Sequence, residues 1–301
     1  MLLDEAAKKI LIPKWGRPEG HFEIPDRLMS RFACLRTSPV RAARAASKEP
    51  VYLDADSHET VVGAYPEALL VGSPFGRTIN AYWIWLAIGL CGGSFLLFLW
   101  MFALVMSRAI SYPSVIMIIT CAIALVALIM ILLIAIWCRN LLAQSPPDWP
   151  IMFNRKTRNV AYFKVALPNF LKFWCPAKSV VVVRAWKDAH FRIYKAVQFT
   201  GVGLKMSFEL ALLWGDEENP TLLKEFVFVG DNFSWGEEPC LQIWEHIRRY
   251  MEEEGSILNE GETLRKPVNA NPALRFPKHL EDAAGGVRLT PDQIMGEEIL
   301  N

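Results

Sequence analysis

Just over half of the 301 residues are hydrophobic (52%), while 32 Lys and Arg balance 31 Asp and Glu, so no broad charged field exists for nucleic acid or a strongly charged partner. The apolar excess is concentrated between positions 78 and 152, which excludes a soluble globular domain as an account of the whole chain. Cys34, Cys91, Cys121, Cys138, Cys175 and Cys240 form no Cys-x-x-Cys and no His/Cys cluster, which argues against a zinc centre or a disulfide framework and for free thiols in a reducing compartment.

The first segment, 1–77, opens with Asp4 and Glu5 where a signal peptide needs an apolar core, so no cleavable signal is expected. Prolines at 13, 18, 25, 39, 50, 66 and 74 punctuate it. Leu28, Phe32 and Leu35 suit a short helix over 25–37, and 40–47 is helix-compatible but poor in large apolar residues. The expectation is a loosely structured cytoplasmic arm that docks on the C-terminal domain.

Two runs of thirty residues without a charge or a histidine follow, 78–107 and 109–138, divided by Arg108 alone. A bilayer core needs about 20 apolar residues in helical form. The pair reads as a transmembrane helical hairpin over 78–138. Arg139, Arg155, Lys156 and Arg158 beyond it, and the cations from Lys8 to Lys48 before it, place both termini in the cytoplasm. Tyr82, Trp83, Trp85 and Trp137 belong to one interface and Tyr112 to the other. Ser111 and Pro113 suit the start of the second helix, leaving an outer loop of about 107–112. Small residues at Gly89 and Gly93, and at Thr120 and Ala124, suit close helix packing, either within the hairpin or between two copies, or have no role. The charge-free spans argue against transport or a proton relay.

A linker at 144–147 leads to a domain over 148–256. Its β candidates are 151–153 and 160–163 about a turn at 154–159, then 179–186, 191–197, 205–214 and 223–229. From 239 to 254 the period changes to helical: Cys240, Ile243, Trp244, Ile247, Tyr250 and Met251 share a face. Ser234 and Glu237 suggest a capping box and Gly255 a stop. The expected class is α+β, a helical hairpin followed by an antiparallel β-rich domain closed by a helix. That order resembles pleckstrin-homology-like domains. A polar, proline-rich extended tail over 257–301 completes the chain.

No pattern for catalysis stands out. The five histidines lie apart, and there is no Gly-x-Ser-x-Gly, P-loop or complete dinucleotide fingerprint, so no enzyme and no cofactor are expected. Arg155, Lys156 and Arg158 in the first turn of the domain have two readings: contact with anionic lipid, worth about 1 kcal/mol per cation near the surface, or an ordinary charged turn that satisfies the positive-inside bias.

Phe153-Asn154-Arg155-Lys156-Thr157-Arg158-Asn159-Val160 and Trp244-Glu245-His246-Ile247-Arg248-Arg249-Tyr250-Met251-Glu252, behind a two-span hairpin, resemble a family of uncharacterised bacterial membrane proteins, some of them encoded near type VI secretion and toxin genes. The resemblance covers about 64–255. It implies an inner-membrane protein and carries over no catalytic or ligand residue. The expected function is therefore a non-enzymatic inner-membrane protein whose cytoplasmic domain binds a protein partner, as an accessory or immunity factor of a type VI toxin. A lipid-sensing or envelope-maintenance module is the alternative. Its partners are the bilayer, a protein and, through the hairpin, a second copy.

Overall fold

A computed structural model of the chain describes residues 10–15, 22–26, 28, 35, 37–74, 81–111, 115–144, 149–164, 179–199, 204–233, 236–266 and 274–296. Three strands come first: β1 (Arg41–Arg44), β2 (Val61–Tyr65) and β3 (Ala68–Val71). Two long helices, α1 (Ala81–Ser111) and α2 (Val115–Gln144), pack as a hairpin. Then come β4 (Ile151–Asn154), β5 (Asn159–Lys164), β6 (Val180–Ala185), β7 (His190–Phe199), β8 (Leu204–Gly215), β9 (Leu223–Phe233) and α3 (Glu238–Glu252), with short helices α4 (Lys278–Ala283) and α5 (Pro291–Gly296) near the end.

The strands form two antiparallel sheets, ordered β2-β3-β4-β5-β6 and β1-β7-β8-β9. The hairpin is an insertion between neighbours of the first sheet: Val71 pairs with Ile151 and Leu69 with Phe153. This segment 1–77 is therefore no loose arm, since it supplies strands to both sheets. Within it, 40–47 is not helical; Arg41 to Arg44 pair with Ile193 to His190. Small side chains fit beside β7 there, and tertiary pairing outweighs a weak helical preference.

Alternation along the strands explains the layers. Val61, Leu69, Val71, Ile151, Phe153, Val160 and Tyr162 of the first sheet face Phe191, Ile193, Leu210, Leu212 and Trp214 of the second across the main core. Helix α3 closes that core with Leu241, Ile243, Trp244 and Ile247. Its C-terminal reversal falls on Glu254 (φ 55°), and the Gly255 amide then bonds back to the Arg249 carbonyl. Its N-cap is Glu237, without a side-chain capping bond, and Ser234 lies outside the described residues.

Each sheet's outer face is covered by a chain flank. Phe22 and Leu35 cover Tyr194, Ala211, Leu213 and Phe228 of the second sheet. Phe276, Leu280 and Ala284 cover Ala68, Leu70, Met152 and Ala161 of the first. The tail is thus not extended: Leu289 donates its amide to Ala64, Arg265 to Val61, and Ile294 is buried in the main core. Burying a side chain of this size contributes about 1.5–3 kcal/mol, which is enough to hold a proline-rich flank in place.

The helices overrun their expected limits. Helix α1 continues through Ser107 to Ser111, so the connection is 112–114, which lies outside the described residues together with Tyr112 and Pro113; the linker residues 145–148 also do. Of 25–37, Asp26 and Leu28 are helical and most other positions lie outside the described residues. Segments Trp85–Arg108 and Ile118–Asn140 are long and apolar enough to cross a membrane.

Since Val71 and Ile151 are paired, replacing 75–148 by a short Gly-Ser link should give a soluble, cooperatively melting domain. A fragment beginning at residue 149 lacks β1, β2 and β3 and should aggregate. Circular dichroism melts and gel filtration of the two proteins check this.

Candidate functional site

The turn singled out by sequence, 155–158, is built by Asn154, whose Oδ1 accepts the Thr157 amide at 2.9 Å, with Arg158 in the left-handed region (φ 57°). Two of its three cations are already engaged. Arg155 Nε donates to Glu67 at 3.0 Å, its Nη2 donates to the Pro66 carbonyl at 3.1 Å, and its guanidinium lies 5.3 Å from the centre of the Tyr250 ring. Arg158 pairs with Glu252 and donates to the Met251 carbonyl. Lys156 is exposed.

Register settles where this turn lies. Val61, Val71, Ile151, Tyr162 and, one step further, Val180 mark the end of the first sheet from which the hairpin departs. The turn sits beyond Asn154 and Asn159, at the other end, about 10 Å along the strands. Distance from the hairpin and internal pairing both favour the charged-turn reading over lipid contact.

The two sequence stretches that carry the family resemblance meet in space. Arg158 and Arg155 of the first reach Glu252, Met251 and Tyr250 of the second, and Trp186 Nε1 joins them by donating to Glu252 at 2.6 Å. The second stretch also anchors the segment before β2. Glu245, fully buried, accepts from Arg248 (2.9 and 2.7 Å), Arg249 (2.7 Å) and the Val51 amide (3.0 Å). Arg248 and Arg249 further donate to the Lys48 and Leu53 carbonyls. Burial pushes the Glu245 carboxyl up, but the Arg248, Val51 and Arg249 hydrogen bonds outweigh it and hold the group below the usual range.

A second polar cluster, unnoticed in the sequence, joins residues 54–60 to α3 and to 256–262. The Ser57 amide and Asn259 Nδ2 donate to Glu262 at 3.0 and 2.8 Å. His58 and Glu59 adopt left-handed φ values of 47° and 54°, and the His58 ring meets Gln242 Oε1 at 2.6 Å. The buried His246 ring donates through Nε2 to the Ile257 carbonyl at 3.1 Å. Asn259 Nδ2 lies 3.5 Å from His246 Nδ1 and donates to the Ala55 carbonyl at 2.8 Å as well as to Glu262, so the cluster ties residues 54–60 to α3 and to 256–262. Among the described residues, no three His, Cys, Asp or Glu side chains are placed to share a metal ion.

In the hairpin, the half-buried positions Ile88, Cys91, Phe95, Phe102 and Val105 of α1 recur at helical spacing and mark the seam with Cys121, Ala124, Ala127, Leu128 and Cys138 of α2. Ala124 is on that seam. Gly89 and Gly93 are not: a Cβ added to either meets nothing within 4 Å. Thr120 is exposed and returns its hydroxyl to the Ile116 carbonyl at 2.9 Å. Packing within the hairpin thus uses larger side chains, and the Gly89 face is left to a second copy or to no role.

One edge remains. Strand β6 pairs only with β5 among the described residues, and its sequence, Val-Val-Val-Val-Arg-Ala, leaves Val180 59% and Val183 38% exposed. From Trp149 to Lys187 the chain has no Asp or Glu and eight Lys and Arg.

An α+β chain with two membrane-length apolar helices inserted into a two-sheet domain is the class defined by this architecture. The model of a family of unknown function, DUF6708, matches residues 126–277, half of the chain, and the chain belongs to that family. The match takes in β4 to β9 and α3 but not β1, β2 or β3. No curated protein and no solved structure matches the chain.

Glu245→Gln should destabilise the domain by about 3–5 kcal/mol, since it leaves the buried Arg248 and the partly exposed Arg249 short of their counter-charge; the shift in denaturant midpoint measures it. His246 is depressed by burial, against a smaller raising influence of Glu262. Its contribution to stability is therefore full above its ordinary value of 6.5 and is lost as the pH falls below it. Wild-type stability should decline as the pH falls below about 6.5, and His246→Gln should flatten that decline in denaturant melts run across the acid range.

Proposed function

We propose that the chain is a non-enzymatic bacterial inner-membrane protein whose β domain stands in the cytoplasm and binds a protein partner along the open edge of β6. The observation that carries this reading is the unpaired valine edge. A flat apolar edge invites addition of a further strand, and proteins ordinarily shield one with charge, proline or a covering element. Here Val180 and Val183 are uncovered on a domain whose chain flanks cover much of the outer face of each sheet. The acid-free stretch around β6 selects a partner strand flanked by Asp or Glu.

Membrane residence is supported by the length and composition of α1 and α2. Pairing of β3 with β4 returns the chain to the side it left, as two spans require. Arg139 and the cations of the domain favour the cytoplasmic side. The two-sheet core closed by α3 supports a pleckstrin-homology-like reading, with two strands of its first sheet drawn from before the hairpin. The concrete form of the function is an accessory or immunity factor of a type VI toxin system. The brief connection at 112–114 leaves little chain for binding in the periplasm, so such a factor acts at the cytoplasmic face.

Photo-crosslinking from position 183 in native membranes should capture a specific protein with an acidic segment. Val180→Glu with Val183→Glu should abolish its copurification with the detergent-extracted chain while leaving the thermal midpoint unchanged. Retention of the partner by that folded variant overturns the edge as the binding surface.

A further inference from the structure

The inward face of the second sheet continues beyond the core that covers it. On that face lie Phe191 and Ile193 of β7 and Leu212, Leu210 and Phe208 of β8, all packed in or against the main core. The same register carries on outward as Lys195 opposite Phe208, Val197 opposite Met206, and Phe199 opposite Leu204. Neither β1 nor β9 accompanies this stretch: β1 pairs only with His190 to Ile193, and the last β9 partner of β8 is Phe233 at Phe208. Val197 is 57% exposed and Met206 50%. A two-stranded ribbon thus leaves the domain with Val197 and Met206 largely uncovered.

The direction of the ribbon indicates what covers it. Gly230, at a left-handed φ of 77°, donates its amide to the Gly72 carbonyl at 2.8 Å, and an added Cβ there would press on Ile243 and Thr60 at 3.1 and 3.3 Å. Phe233 lies against the His58 ring, just before β2. Gly72, Thr60 and the start of β2 belong to the end of the first sheet from which the hairpin departs. Phe208 pairs with Phe233, while Trp214 and Glu225 at the far end of β8 and β9 meet Tyr162 of that same sheet end, so the ribbon runs along the end from which the hairpin departs and on past β2.

We propose that the β7–β8 ribbon dips into the bilayer that α1 and α2 span, with Val197 and Met206 at the boundary of head groups and acyl chains and Lys195 among anionic head groups. Apolar side chains with a cation one step behind them are the pattern of an interfacial contact. The contact makes a third attachment point and fixes the tilt of the domain, holding the β6 edge in one orientation to the membrane. It rests on the reading of α1 and α2 as membrane spans.

The full chain in nanodiscs containing phosphatidylglycerol and a lipid with a diazirine high on its acyl chain tests it, with labelled peptides mapped by mass spectrometry. Label is expected in 85–108, in 118–140 and at 197–206, and not at 155–158. Val197→Asp with Met206→Asp should cut ribbon labelling roughly five-fold or more, because a carboxylate resists hydrocarbon, without altering label in the helices. Labelled helices with an unlabelled ribbon in the wild-type chain overturn the proposal and leave the anchor standing. Unlabelled helices overturn the anchor and the ribbon contact together.

Discussion

Pairing of β3 with β4 is the constraint on which the rest of the structure depends. Roughly 80 residues separate these neighbouring strands, and closing a flexible loop of that length costs about 2–3 kcal/mol more than closing a tight turn. A packed helical hairpin removes most of that cost. Its two ends emerge at a helix–helix spacing of about 8–10 Å, roughly twice the 4.7–4.9 Å between paired strands, and the segments between β3 and α1 and between α2 and β4 are short. Folding of the sheet and packing of the hairpin therefore reinforce each other.

The charged groups serve the same end. Glu245, Arg248 and Arg249 hold 48–53, Arg265 reaches Asp231, Arg41 pairs with Glu237 at 2.8 Å, and Arg155 and Arg158 bind Glu67 and Glu252. Each of these bonds joins segments distant in sequence. A buried ion pair offers little net stability over a well-packed apolar pair, but losing one partner is expensive. Such pairs specify which segment lies where, and here they sort flanks that have few large apolar residues with which to specify themselves.

Period and composition made the later half of the chain legible. Strands β4 to β9 and helix α3 fall within a few residues of their expected limits because each has an apolar face against the main core, as with Leu210, Leu212 and Trp214 or Ile243, Trp244 and Ile247. The earlier half was not legible in the same way. Ala42 and Ala43 become strand by lying beside β7, and β2 and β3, which pair with each other about Pro66 and Glu67, complete their sheet only with β4 across the hairpin. Strands of four or five residues whose sheet is completed beyond an insertion carry a weak local signal. The basic turn was located correctly, but its partners, Glu67 and Glu252, lie outside its sequence neighbourhood. The clamp around Glu262 and His246 was missed for the same reason: Ser57, His246 and Asn259 form no spacing motif, and only the fold brings them together.

With most of both faces of both sheets covered, β6 and the β7–β8 ribbon are the strand segments that leave large apolar side chains uncovered among the described residues. Both are small, and small surfaces bind weakly when free in solution, because association must offset the loss of translational and rotational freedom. Attachment to a bilayer changes that balance. In the proposed arrangement, a ribbon tethered by two helices meets the membrane as an intramolecular event, so a pair of side chains suffices where a soluble domain would need a broad patch. An edge strand held at a fixed height and tilt likewise selects partners that are themselves at the membrane. On the proposed reading, the hairpin does more than retain the domain: it makes two modest contacts effective.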